Sequence, residues 1–168
     1  MWIYALIPFS LQAIAILFDE AYFHCKRGLP KWECIGHPLD TLSLLICMGI
    51  VLFVPFTENT LKIYCAFAIL SCLMVTKDEF IHKHHCPGAE NWLHALLFIL
   101  HPITLAVAGM IWPVMQGVEV SSWISTWLDN PEALKQFMYM QTLLISIFFL
   151  YQVIFWNFIW KNHPVIKH

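Results

Sequence analysis

Lys77 to His94, KDEFIHKHHCPGAENWLH, decides how this chain is read, because it sets three carboxylates, four histidines and a cysteine between two long apolar runs. Asp78 and His82 stand four residues apart, as do Glu90 and His94. On a helix each pair shares one face, with both heads within reach of a single ion. Cys86-Pro87-Gly88 between them is a turn signal that would bring two helices side by side.

The same order occurs earlier, at Asp19 to His37, DEAYFHCKRGLPKWECIGH. Both stretches run Asp-Glu, a histidine about a turn later, a cysteine, a proline-containing turn and then Glu-x-x-x-His. The pattern predicts a duplicated helical hairpin. Candidate metal ligands are Glu20, His24, Glu33 and His37 in the first copy, and Asp78, Glu79, His82, His85, Glu90 and His94 in the second. Asp78 competes with Glu79 because neighbours on a helix point about 100° apart. His85, three residues on from His82, is a better companion to it than His84. Asp19, Asp40 and His101 are expected as outer partners, with His101 orienting His94 and Asp40 orienting His37. Cys25 and Cys86 fall in the turns and are read as bystanders.

Around these stretches the chain is 60% hydrophobic and 12% charged, with a mean hydropathy of +0.67. That balance excludes an ordinary soluble domain and predicts an integral membrane protein in contact with the lipid bilayer. A net charge of −2 supplies no basic surface for nucleic acid. Cys47, Cys65 and Cys72 lie inside apolar runs as small buried hydrophobes rather than as a disulfide framework. The first apolar run ends in Asp19-Glu20 and not in a small-residue cleavage site, so it reads as a retained span.

Five spans are expected. The first starts at Trp2 and carries its polar end to about His24; the second covers about Glu33 to Phe56. Pro38 leaves two options for the second: a late start that puts Glu33 in a loop, or an early start with a kink near Cys34. The third and fourth run from about Thr60 to His84 and Ala89 to Met115. Asn130-Pro131-Glu132 is a helix-start signal for the fifth, which reaches Trp160. Gln116 to Asn130, with Trp123 and Trp127, predicts a short interfacial helix. The fold class is thus an all-α single transmembrane domain over residues 1–168. Residues 1–57 form hairpin 1, 58–115 hairpin 2, 116–130 the interfacial loop and 131–160 the fifth helix. The two hairpins would make a pseudo-twofold four-helix bundle with the fifth helix packed outside it. Trp2, Tyr4, Trp32, Trp92, Trp112, Trp156 and Trp160 are expected in interfacial belts.

Lys26, Arg27, Lys31, Lys77, Lys83, Lys161 and Lys167 fall on the hairpin side, and Lys62 and Lys135 on the other. This excess predicts a cytoplasmic C-terminus and metal site and an external N-terminus.

Carboxylates and histidines in spanning helices cost a few kcal/mol each, so a cluster of them asks for a compensating ion or hydrogen-bond network. Imidazole and carboxylate in similar numbers suit iron, zinc or manganese. In ligand chemistry the set resembles the di-iron carboxylate bundles, although the spacing here is mostly Glu-x-x-x-His rather than Glu-x-x-His. Two ions, most readily iron, are therefore expected in an oxidoreductase of the oxygenase or oxidase type. It would act on a lipid-soluble small molecule and draw on an electron donor. The alternatives are a zinc hydrolase or transferase with Glu79 as general base, and a non-enzymatic metal carrier or sensor.

Overall fold

The computed structural model describes residues 1–77 and 88–160. Asp78, Glu79, His82, His84, His85 and Cys86 lie outside the described residues. Five helices among the described residues are long and apolar enough to cross a membrane: α1 (Trp2–Arg27), α2 (Lys31–Phe53), α3 (Glu58–Thr76), α4 (Gly88–Met115) and, after a short α5 (Ser122–Trp127), α6 (Pro131–Ile159).

Local chemistry accounts for the ends. Gly28, at φ 74°, closes α1 in a conformation that favours glycine, and its N–H donates to the His24 carbonyl at 2.8 Å. Pro30 is the N-cap of α2. Thr57 and Thr60 exchange side-chain and backbone hydrogen bonds in a capping box at the start of α3. Asn130 caps α6, with Pro131 in the first turn.

Helix α2 begins at Lys31, so Pro38 is internal and Glu33 sits in the first helical turn. A proline there frees the carbonyl four residues back. That carbonyl belongs to Cys34, and the Asn157 side-chain amide on α6 donates to it at 3.1 Å. The early start anticipated as one of two options is therefore the one adopted, and α6 supplies the missing donor.

Helix α1 packs chiefly on α4, while α2 packs on α6 and α3; α3 also meets α4. These contacts do not single out two repeated hairpins. Nor is the last helix merely peripheral, since α6 lies along α2 and reaches residues of α1. The apolar core fills the end of the bundle nearest α5, around Phe9, Met48, Tyr64, Ile111, Trp112 and Met138. Gly109 allows its tight fit: a Cβ there would lie 3.1 Å from the Tyr64 ring, whose hydroxyl donates to the Leu105 carbonyl at 2.5 Å.

Two tryptophans expected in interfacial belts are core residues instead. Trp112 is fully buried and donates to the Val54 carbonyl at 3.0 Å, and Trp156 is almost fully buried and donates to Glu20. Each N–H finds an internal acceptor, which removes the reason for the ring to seek the headgroup zone.

Candidate metal centre

The polar end of α1 does not continue as a regular α-helix. Asp19–His24 forms a π-helical turn, in which hydrogen bonds run to the fifth residue and a wider backbone re-aims the side chains. In that turn Asp19 and His24, five apart, come onto one face: Asp19 Oδ2 lies 3.1 Å from His24 Nε2. Glu20, four residues before the histidine, approaches its other nitrogen, with Oε2 3.1 Å from Nδ1. One imidazole is thus held between two successive carboxylates.

Helix α4 brings Glu90 and His94 to the same place. His94 Nε2 is 3.3 Å from Asp19 Oδ2, and Glu90 Oε1 is 3.9 Å from His24 Nε2. Asp19, His24, Glu90 and His94 are all buried and each offers one donor atom, these atoms lying within 4.8 Å of one another. Two carboxylates and two imidazoles at that spacing can hold a metal ion, and the donor set suits iron, zinc or manganese. Asp19 Oδ1 is buried without a hydrogen-bond partner among the described residues.

A second group adjoins the first. His24, Glu33 and His37 also present donor atoms within 4.8 Å of one another. Glu33 and His37 are a helical pair, with Oε2 3.9 Å from Nε2, and the His37 ring stacks on His24 with centroids 4.8 Å apart. His24 belongs to both groups, but Glu20 occupies its Nδ1, leaving one nitrogen to give.

Arg27 clamps the two groups together. Its Nη2 donates to Glu33 Oε2 at 2.7 Å and to Glu90 Oε1 at 2.8 Å, and its Nε donates to Glu90 Oε1 at 3.1 Å. A carboxylate has about four lone-pair sites, so the Glu90 that accepts from Arg27 retains capacity for an ion. The planar guanidinium fork sets the Glu90 head at an angle that a lysine could not impose.

Glu20 stands outside both donor groups. Its Oε1 accepts from Tyr151 Oη at 2.8 Å and from Trp156 Nε1 at 2.7 Å, both on α6, while Oε2 faces His24. Asp19, expected as an outer partner, lies in the first group; Glu20, expected as a ligand, lies in neither group and hydrogen-bonds His24 Nδ1. Tyr151 and Trp156 were not anticipated as part of the site. Trp156 is aimed by a second π-helical turn, Phe155–Ile159, and no regular periodicity signals either turn.

His101 and Asp40 make other contacts than those expected. His101 Nδ1 meets Gln12 Nε2 at 2.9 Å, its Nε2 meets Ser71 Oγ at 2.9 Å, and Ser71 Oγ lies 2.7 Å from Ser43 Oγ. Gln12 must donate there, so Nδ1 accepts and Nε2 carries the proton. The Ser43 hydroxyl in turn donates to the Asp40 carbonyl at 2.7 Å. This chain ties α1, α4, α3 and α2 together one layer beneath the metal-capable groups. The Asp40 carboxylate pairs with Lys77 at 2.6 Å.

A small chamber of about 100 Å³ is walled by Gln12, Asp19, Glu20, His24, His94 and His101 together with apolar side chains such as Ile16, Leu97 and Phe98. It adjoins a larger, mostly apolar cavity of about 620 Å³ between α1, α2 and α6; Gln12, Ile16, Glu20, Thr41, Leu44 and Phe148 line both. No family model, curated protein or solved structure matches this chain.

Proposed function

We propose that this protein is a metal-dependent oxidoreductase working inside the bilayer on a lipid-soluble substrate, with iron as its metal. The observation that carries the reading is the buried Asp19, His24, Glu90 and His94 group, of which Asp19, His24 and His94 line a small chamber that shares walls with an apolar cavity.

Charge supports an ion. Asp19, Glu20, Glu33 and Glu90 are buried carboxylates and Arg27 is the one guanidinium among them. With neutral histidines, Asp19, Glu20 and Glu90 bring three negative charges beside the single positive charge of Arg27. A divalent cation, or protons on the imidazoles, would offset them, and direct metal analysis separates the two.

In this reading Asp19, His24, Glu90 and His94 hold one ion. Glu33 and His37 are the start of a second position, which needs a further donor because His24 has a single free nitrogen. Iron supplies one-electron chemistry that the side chains lack. The protein's part is to fix the donors. Glu20 keeps His24 in the tautomer whose Nε2 faces the group, Tyr151 and Trp156 hold Glu20, and Arg27 holds Glu90 against Glu33. The apolar walls beyond Ile16 and Phe148 keep water away and admit a hydrocarbon. An electron donor would approach from the membrane face nearest Lys31.

The test is elemental analysis of protein purified without added metal. Iron at one or two per chain with a near-ultraviolet absorption band supports the proposal. Stoichiometric, colourless zinc would favour a hydrolase or transferase, and weak, exchangeable metal a carrier. Absence of metal from wild-type protein ends the metal reading and leaves protonated histidines as the charge balance.

A further inference from the structure

Arg27 is the last residue of α1, and its side chain is only 23% exposed. All three of its nitrogens donate inward. Nη1 donates to the Gly28 carbonyl at 3.1 Å, Nε to Glu90, and Nη2 to both Glu33 Oε2 and Glu90 Oε1. The two oxygens that share Nη2 are also the ones that face histidines. Glu33 Oε2 lies 3.9 Å from His37 Nε2, and Glu90 Oε1 lies 3.9 Å from His24 Nε2. A single guanidinium nitrogen therefore holds the oxygen that each donor group would offer to a shared ion.

The two groups differ in what is left for a metal. In the first, Asp19, His24 and His94 make no hydrogen bond to Arg27 among the described residues, and the buried Asp19 Oδ1 has no hydrogen-bond partner among them. An unmet carboxylate oxygen there asks for a cation or a donor. In the second, His24 cannot serve a further ion, because Glu20 takes its Nδ1 and the first group uses its Nε2. Glu33 and His37 then remain among the described residues, and Glu90 is their only link to the first position. An ion bridging Glu33 to Glu90 would need each oxygen at about 2.0–2.2 Å and would have to take lone pairs that Nη2 now uses. The guanidinium cannot give up its proton to make way, and in a setting poor in water it repels a neighbouring divalent ion.

From these contacts we infer that Arg27 is the second cation of this centre. The protein holds one metal ion, at Asp19, His24, Glu90 and His94, and the guanidinium takes the part of a second ion between Glu33 and Glu90. Its removal opens Glu33, His37 and Glu90 to a further ion. That role rests on the metal reading of the site, but not on its being an oxidoreductase.

Mn(II) is a paramagnetic probe suited to carboxylate and imidazole donors. Wild-type protein in detergent, stripped with a chelator, loaded with excess Mn(II) and desalted, should retain one ion per chain. Its electron paramagnetic resonance spectrum should be that of isolated Mn(II). Arg27→Met should retain twice as much, with a spectrum showing spin coupling between ions about 3.5–4 Å apart, a signature that mere loosening of the fold would not produce. Adding Glu33→Gln to Arg27→Met should return the count to one. In the wild-type background Glu33→Gln and His37→Gln should each keep the single ion, and these two variants decide the matter if Arg27→Met does not fold. Two ions in the wild type, one in a folded Arg27→Met, or loss of the ion from either single variant would overturn the role of Arg27 and leave a metal centre standing. No retained ion in the wild type, whatever Arg27→Met binds, would remove the metal reading and the role of Arg27 with it.

Discussion

Trp156 Nε1 donates to Glu20 Oε1 at 2.7 Å, joining two residues 136 positions apart, each in a π-helical turn. The first turn aims Glu20 at His24, and the second drives Trp156 inward from the far end of α6. An indole N–H is a donor only, so it can serve this carboxylate in its ionised form and cannot take a proton from it.

Removing that donor leaves a buried carboxylate short of a partner. Trp156→Phe should destabilise the protein by about 1–3 kcal/mol, seen as a lower thermal midpoint in detergent. Tyr151→Phe, removing the other donor to the same oxygen, should cost less than the sum of the two when the variants are combined, because both act on one atom. Strict additivity in the double-mutant cycle would show that the two donors are not sharing Glu20.

Glu20 and Asp19 should separate in metal analysis. Asp19→Asn deletes a charged donor from the four-residue group and should abolish stoichiometric metal. Glu20→Gln keeps a group facing His24 Nδ1 and should weaken metal affinity by about 10–100-fold, the usual effect of an outer partner. The reverse ranking would make Glu20 the ligand. Glu90→Ala and His94→Ala should both lose metal.

Arg27 bridges Glu33 and Glu90, so its loss takes the guanidinium from two buried carboxylates, one of them the fully buried Glu90. Arg27→Met should cost about 3–5 kcal/mol, and Arg27→Lys should not restore it, because a point charge cannot replace the fork. Chemical denaturation of the three proteins side by side gives the comparison; full rescue by lysine would show that net charge alone matters.

His101 anchors the polar chain under the site and belongs to neither metal-capable group among the described residues. His101→Leu should cost about 1–3 kcal/mol through the unmet Gln12 and Ser71, with metal content unchanged. Loss of metal in a stably folded His101→Leu would place His101 in the centre itself.

The basic residues near the site end predict that a reporter fused after residue 168 lies in the cytoplasm and one in the 116–130 loop lies outside. Reports from the same side would contradict the five-span count, and a swapped pair would reverse the orientation alone.

Five apolar segments, and a concentration of acids and histidines beside them, were determined by composition and spacing alone. These are local properties: hydrophobic length sets a span, and Glu-x-x-x-His on a helix places two heads together whatever surrounds them. Glu33 with His37 and Glu90 with His94 were legible for that reason. The tertiary structure decided the rest. Whether Asp19 or Glu20 faces the centre depends on a π-helical turn that shifts the register by one residue, and nothing in the 3.6-residue period announces it. The Cys34 carbonyl freed by Pro38 is met by Asn157, and Glu20 is held by Tyr151 and Trp156. Each pairing joins residues more than a hundred positions apart, and helix packing, not local periodicity, chooses such partners.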